Sequence, residues 1–302
     1  MKKKLLIFGA SGLLGVNFIL NCYKQYNISI VINRQKIAFP SIKKYKIDTN
    51  KLNQIKNLIL RIKPDFIINL IALTDVENCE INKKKAYNLN YVIPKYIAKI
   101  SKELRIKLIH ISTDHIYSSK RQYKTEKYQT DPVNYYAETK LMIEKYITNN
   151  LDDFLIIRTN FFGYGPKYRS SFSDFIINNV KKKNKIFLYD NVYFNPVYIK
   201  NLIQMILNLA QTNSTGIFNV TSNNRISKYE FALLLCKLFK LDSKYILKSK
   251  LSFNLDQCKK PLEMSLSNNK ISKLLNIDIG NIKKNILMMK NDNKLNYKLN
   301  KF

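Results

Sequence analysis

The sequence predicts an α/β protein, a doubly wound parallel sheet with a smaller C-terminal α+β lobe. Short apolar runs recur between longer amphipathic stretches through the first half of the chain. Three glycines follow the first of these runs at three-residue spacing, and the pattern loosens after Asn160. Strands alternating with helical patterns belong to βα units and a parallel sheet.

The first-half runs are Leu5–Phe8, Ile28–Ile32, Phe66–Leu70 and Leu108–Ile111. Between them, Leu52–Ile62 and Ala86–Leu104 repeat apolar residues at three- and four-residue spacing, as helices covering a sheet do. Pro64 and Pro132 mark loops or helix entries. A helical stretch at Tyr136–Asn149 leads into a further strand at Phe154–Ile157. Gly163, Gly165 and Pro166 then break the chain, and Lys181–Lys185 reads as a basic surface turn. A helix at Ile199–Ala210, a strand at Ile217–Val220 and a helix at Lys228–Lys240 follow. The expected division is residues 1–162 for the larger domain of alternating strands and helices, with returning segments near 195–222, and 163–302 for the smaller lobe. The last twenty residues, rich in Lys and Asn, are expected to fray.

Composition narrows the function. Of 302 residues, 46% are hydrophobic, enough for a sizeable core. The net charge of +31 invites a polyanion partner, but only seven of the 52 cations are Arg. Lysine is spread along the chain with equally inflated Asn, Ile and Tyr, a pattern of codon composition rather than of nucleic-acid readout. The four cysteines form no C-x-x-C pair, and with two histidines no metal site is expected. Lys2–Lys4 before an apolar stretch imitates a signal peptide, but Gly9, Ser11, Gly12 and Gly15 interrupt it. The longest apolar run, Phe66–Leu73, is too short to span a bilayer. A cytoplasmic protein with no membrane or nucleic-acid partner is expected.

Gly9-x-x-Gly12-x-x-Gly15 sits at a strand–turn–helix junction. There the backbone must approach a pyrophosphate closely, and a helix N-terminus supplies N–H donors. The expected cofactor contacts are Gly9, Ser11, Gly12, Leu13 and Gly15. The second strand ends at Asn33-Arg34, without the acidic residue that would accept from an NAD ribose. Arg34 can pair with a 2′-phosphate instead, which favours NADPH and leaves NADH open. Asp48 borders the adenine or caps a helix.

Tyr-x-x-x-Lys places a phenol and an ammonium on one helical face, where the cation can favour proton transfer. With 20 Tyr, about three such pairs arise by chance, and four occur: Tyr91/Lys95, Tyr123/Lys127, Tyr136/Lys140 and Tyr297/Lys301. Context selects Tyr136/Lys140. It opens a helix after a strand ending in Ser112-Thr113-Asp114, and both ends face the crevice where such sheets bind ligands.

At this point the chain resembles the extended short-chain dehydrogenase/reductases, a Rossmann-type superfamily, and within it the dTDP-4-dehydrorhamnose reductase group. The resemblance runs from about residue 3 to 280 through FGASGLLG, IINLIALTDVENCE, STDHIY, DPVNYYAETKLMIE, IIRTNFFGYG, FNPVYI, GIFNVTSNNRISKYEFA and KPLEMSLSNNKI. It implies Thr113, Tyr136 and Lys140 as catalytic residues beside Asp114, with Ala72, Thr74 and Asn90 lining the cofactor's ribose and nicotinamide. It implies reduction, with NADPH, of a nucleotide-linked 4-keto-6-deoxy sugar. Such a reductase belongs to dTDP-rhamnose or polysaccharide biosynthesis, and a homodimer is an open option.

Two departures bear on the sugar. His115 stands where the group usually has Tyr, and Asn160-Phe161 where Trp commonly follows the strand end. Both are expected on the substrate side. Arg169 and Arg225, scarce arginines in the smaller lobe, are the candidates for the substrate diphosphate. Two alternatives stay open: an epimerase that keeps its NAD bound, and a regulatory subunit of the same fold, as in a methionine adenosyltransferase accessory protein. A dehydratase would show Glu where His115 stands.

Overall fold

The computed structural model describes residues 1–32, 39, 42–252, 258–292 and 299. In chain order the first half runs β1 (Lys4–Phe8), α1 (Leu13–Cys22), β2 (Asn27–Ile32), β3 (Lys43–Lys46), α2 (Leu52–Ile62), β4 (Phe66–Asn69), α3 (Val76–Ile81) and α4 (Lys83–Tyr87). A π-turn at Asn88–Val92 leads into α5 (Ile93–Glu103), β5 (Lys107–Ile111), α6 (Tyr135–Asn150) and β6 (Phe154–Arg158). The second half adds β7 (Phe161–Phe162), α7 (Phe172–Lys181), β8 (Ile186–Tyr189), β9 (Tyr193–Phe194), β10 (Val197–Tyr198), α8 (Ile199–Gln211) and β11 (Gly216–Asn219). It closes with β12 (Ile226–Ser227), α9 (Lys228–Phe239), β13 (Ile246–Ser249), α10 (Asn269–Leu275) and α11 (Ile282–Asn291).

Seven strands form one parallel sheet in the order β11-β6-β5-β4-β1-β2-β3. The order reverses between β1 and β4, so their C-terminal ends splay apart and leave a crevice. Alternation along each strand separates two cores. Leu5 and Ile7 face α1 and α8, while Leu6 and Phe8 face α2, α5 and α6. Within 195–222, β11 joins the seven-stranded sheet by pairing with β6, whereas β10 pairs with β7 outside it.

The smaller lobe is built from short pairs, β8 with β13, β9 with β12 and β7 with β10. Phe162, Phe172, Phe194 and Phe231 interlock at its centre, with ring centroids 5.1–6.3 Å apart. The expectation of a frayed tail is corrected as far as residue 292. Ile282, Ile286 and Met289 of α11 are buried, and Asn285 accepts from the Tyr198 amide at 3.0 Å. Their i, i+4, i+7 spacing gives the helix an apolar stripe that the Lys- and Asn-rich composition obscures. The helix expected over 86–104 is also interrupted by the π-turn, which brings Asn90 to the buried side just before Pro94.

The cysteines are free thiols, and burial pushes Cys22 up to about 12. No helix among the described residues is long and apolar enough to cross a membrane, and no cluster there could hold a metal ion.

Candidate functional site

A cleft of about 620 Å³ opens over the switch point between β1 and β4, within the size range of small-molecule sites. One wall is backbone. Gly9 has φ +76°, and a Cβ there would stand 2.7 Å from the Leu70 carbonyl carbon. A Cβ on Gly15 would meet Ala10 at 2.6 Å, so the helix can approach the loop only without one. Gly12 precedes α1 with no side-chain cap, leaving the first N–H groups directed at the cleft. Ser11 and Leu13 complete this wall.

The opposite wall comes from β5 and α6. Thr113 caps the single turn Asp114–Ile116, its hydroxyl accepting from the His115 amide at 3.2 Å. Asn134 caps α6 by accepting from the Ala137 amide at 2.9 Å, which sets Tyr136 in the first turn and Lys140 one turn on. Burial pushes the Tyr136 phenol well up, and the neighbouring Thr113 side chain draws it partly back. Lys140 turns away from the phenol. It donates to the Ile111 carbonyl at 2.5 Å and lies 3.0 Å from His110 Nε2. Burial lowers its ammonium to about 8, with Glu144 opposing. Glu144 itself is held by Arg158 in a buried pair, with Nη2 to Oε2 at 2.6 Å.

The residues expected on the substrate side come from the adjoining turn, strand end and loop. Asn160 donates to Asp114 Oδ2 at 2.9 Å, and Phe161 and Phe172 line the same space. The His115 ring packs edge-on to Tyr136 at 5.7 Å, and its Nδ1 is buried with no protein partner. Burial holds that imidazole below its ordinary value, against Asp114. Arg169 approaches from the loop before α7, its Nη2 3.4 Å from the Thr74 hydroxyl, while Tyr168 donates to the Ser11 carbonyl at 3.2 Å. Ala72 and Thr74 also line the cleft.

Three expected residues lie elsewhere. Asn90 is fully buried behind the cleft and clamps Leu73, accepting from its amide at 2.7 Å and donating to its carbonyl at 3.1 Å. Asp48 accepts from the Asn50 amide in the exposed turn before α2. Arg225 does not line the cleft; it pairs with Glu263 at 3.1 Å and stacks on Tyr193 at 4.1 Å. Its charge therefore faces Glu263 and the Tyr193 ring rather than the cleft where it was expected. Asn33 and Arg34 lie outside the described residues.

Lys228, which motif reasoning did not single out, is a buried cation beside the cleft residue Phe172. It opens α9 behind the capping box Ser227–Glu230, and its Nζ sits 3.4 Å from the Phe194 ring centroid and 5.0 Å from that of Phe172. No carboxylate among the described residues lies within 4 Å of it, and burial lowers it to about 8 with Asp114 opposing. One lysine among 45 carries no signal of its own. The capping box does mark the helix start that aims it.

The sheet order, the glycine wall and the facing Thr113–Tyr136–Lys140 wall define a Rossmann-type protein of the extended short-chain dehydrogenase/reductase class. A family model described as RmlD substrate binding domain matches residues 3–294, and the chain belongs to that family of sugar nucleotide reductases. It is 27% identical over 231 residues to the spore coat polysaccharide biosynthesis protein SpsK of Bacillus subtilis, covering 76% of this chain and 77% of that one. A hypothetical dTDP-4-dehydrorhamnose reductase from Sulfolobus tokodaii superposes with a TM-score of 0.81 at 30% identity, covering 93% and 97%. The dTDP-4-dehydrorhamnose reductase of Bacillus anthracis, solved in complex with NADP, superposes at 0.84 with 22% identity, covering 96% and 99%; that likeness speaks for the fold.

Proposed function

We propose that this protein is an NADPH-dependent reductase of a nucleotide-linked 4-keto-6-deoxy sugar, similar to dTDP-4-dehydrorhamnose reductases. The observation that carries the reading is the convergence of Thr113, Tyr136 and Lys140 on a cleft whose other wall is the glycine loop. A cradle that any Cβ would fill, below a helix N-terminus without a side-chain cap, fits a dinucleotide pyrophosphate. When bound, the nicotinamide supplies the hydride.

The chain supplies geometry and protons. Thr113 donates to the ketone oxygen, and Tyr136 protonates the same oxygen as it becomes an alkoxide. A phenol pushed up by burial keeps its proton until that charge develops. Lys140 holds the nicotinamide ribose, and Asn160, Phe161, His115 and Arg169 face the sugar nucleotide. Asp114, held by Asn160, keeps the Thr113 turn in place.

The test is oxidation of NADPH by the purified protein with a panel of dTDP-4-keto-6-deoxy sugars, followed by nicotinamide absorbance. Turnover with at least one member supports the reading. Cofactor binding without turnover on any of them overturns it and favours a regulatory subunit.

A further inference from the structure

Behind the cleft, a row of buried polar groups crosses from β4 to α6. The Ile71 amide donates to Asn69 Oδ1 at 3.2 Å, and Asn69 Nδ2 lies 3.0 Å from His110 Nδ1. His110 Nε2 lies 3.0 Å from Lys140 Nζ, which donates onward to the Ile111 carbonyl at 2.5 Å. Asn69, His110 and Lys140 are each at most 2% exposed. The contrast with the next turn of α6 is informative. Arg158 has Glu144 as its counter-charge, whereas Lys140 has no carboxylate within 4 Å among the described residues.

Donor and acceptor counting orders this row. A backbone N–H only donates, so the Asn69 oxygen faces Ile71 and its NH₂ faces His110. Nδ1 of His110 then accepts, and a neutral imidazole with a bare Nδ1 carries its proton on Nε2. That N–H points at Lys140, and only an uncharged amine has a lone pair to receive it. The reverse order, with an ammonium donating to Nε2, would turn the Asn69 amide and set NH₂ against the Ile71 N–H. Two donors would then face each other in a dry interior.

We propose that Asn69 and His110 are positioning residues that hold Lys140 as a neutral amine in the cofactor-free protein, so that Lys140 takes up a proton from solvent when NADPH enters the cleft. Burial lowers both Lys140 and His110 from their ordinary values, the direction that favours the uncharged form of each. The other ionisable groups around the row are Glu144, already paired with Arg158, and Tyr136 and Asp114 at the cleft end. The functional meaning of the proton rests on the reductase reading; the order of the row does not.

The chain has only two histidines, so ¹⁵N-histidine labelling resolves both rings, and His110→Gln assigns them. The cofactor-free protein should show His110 as the Nε2–H tautomer, without titrating between about pH 6 and pH 9. An Nδ1–H tautomer or an imidazolium in that range overturns the proposal. Asn69→Asp offers oxygen to both neighbours, so it should switch His110 to Nδ1–H and abolish proton uptake on NADPH binding, read by calorimetry in two buffers of different ionisation enthalpy. An Nε2–H tautomer surviving in that variant also overturns it; if the variant does not fold, the wild-type tautomer decides. Failure of NADPH to bind would sink the reductase reading and leave the tautomer result standing.

Discussion

The two walls of the cleft are built on different physics. The β1–α1 wall recognises with backbone: three glycines bring the chain close, and α1 presents N–H groups. The facing wall recognises with side chains drawn from β5, α6, the strand end at Asn160 and the loop before α7. Lys228 of α9 lies over the Phe172 and Phe194 rings behind it. A backbone wall tolerates almost no added atom but is indifferent to what its neighbours are. A side-chain wall can exchange residues one at a time, and His115, Asn160 and Phe161 stand on that wall. The difference teaches that the backbone wall is constrained by sterics and the side-chain wall by chemistry.

The largest effect should come from the side-chain wall. Tyr136→Phe removes the proposed proton donor and should lower kcat by about two to four orders of magnitude, with NADPH affinity close to wild type. Steady-state kinetics and a cofactor titration check it, with Tyr91→Phe as a control, since Tyr91 lies under Lys95 away from the cleft. Near-normal turnover would transfer the proton donor to another group.

Gly9→Val probes the backbone wall. Its side chain must enter space held by Leu70 and Ile71 at a φ of +76°, so a loss of about 3 kcal/mol or more in stability is expected, with NADPH binding lost alongside. Thermal melts and a binding titration measure both. Unchanged values would mean that the loop is far softer than its geometry implies.

Arg34→Ala asks whether side chains also enter cofactor choice. If Arg34 holds the 2′-phosphate, NADPH should weaken by about 1.5–3 kcal/mol while NADH barely moves. Equal losses for both cofactors would make Arg34 a structural residue.

The smallest effects belong to the two arginines of the second half. Arg169→Ala should raise the KM for the sugar nucleotide about three- to tenfold, less at high salt, because its guanidinium stands at an exposed cleft edge. Arg225→Ala should leave that KM unchanged and cost at most about 1 kcal/mol of stability, because its partners are Glu263 and Tyr193. A KM change at Arg225 equal to that at Arg169 would return it to the substrate site.

By itself the sequence determined the parts whose physics is local. The strands at Leu5–Phe8 and Phe66–Leu70, the helix over Leu52–Ile62 and the glycine turn each follow from residues a few positions apart, since period and φ are local properties. That Tyr136 and Lys140 would stand at the cleft also needed only neighbouring context, a strand end before and a helix start after. The tertiary structure decided what depends on partners distant along the chain. It turned Lys140 toward His110, buried Asn90 against Leu73, committed Arg225 to Glu263 and set Lys228 over Phe172 and Phe194. It also docked α11, whose Asn285 answers the Tyr198 amide 87 residues away. A long side chain spends its charge on whichever partner the fold brings within about 3 Å, and that distance is a property of packing rather than of spacing along the chain.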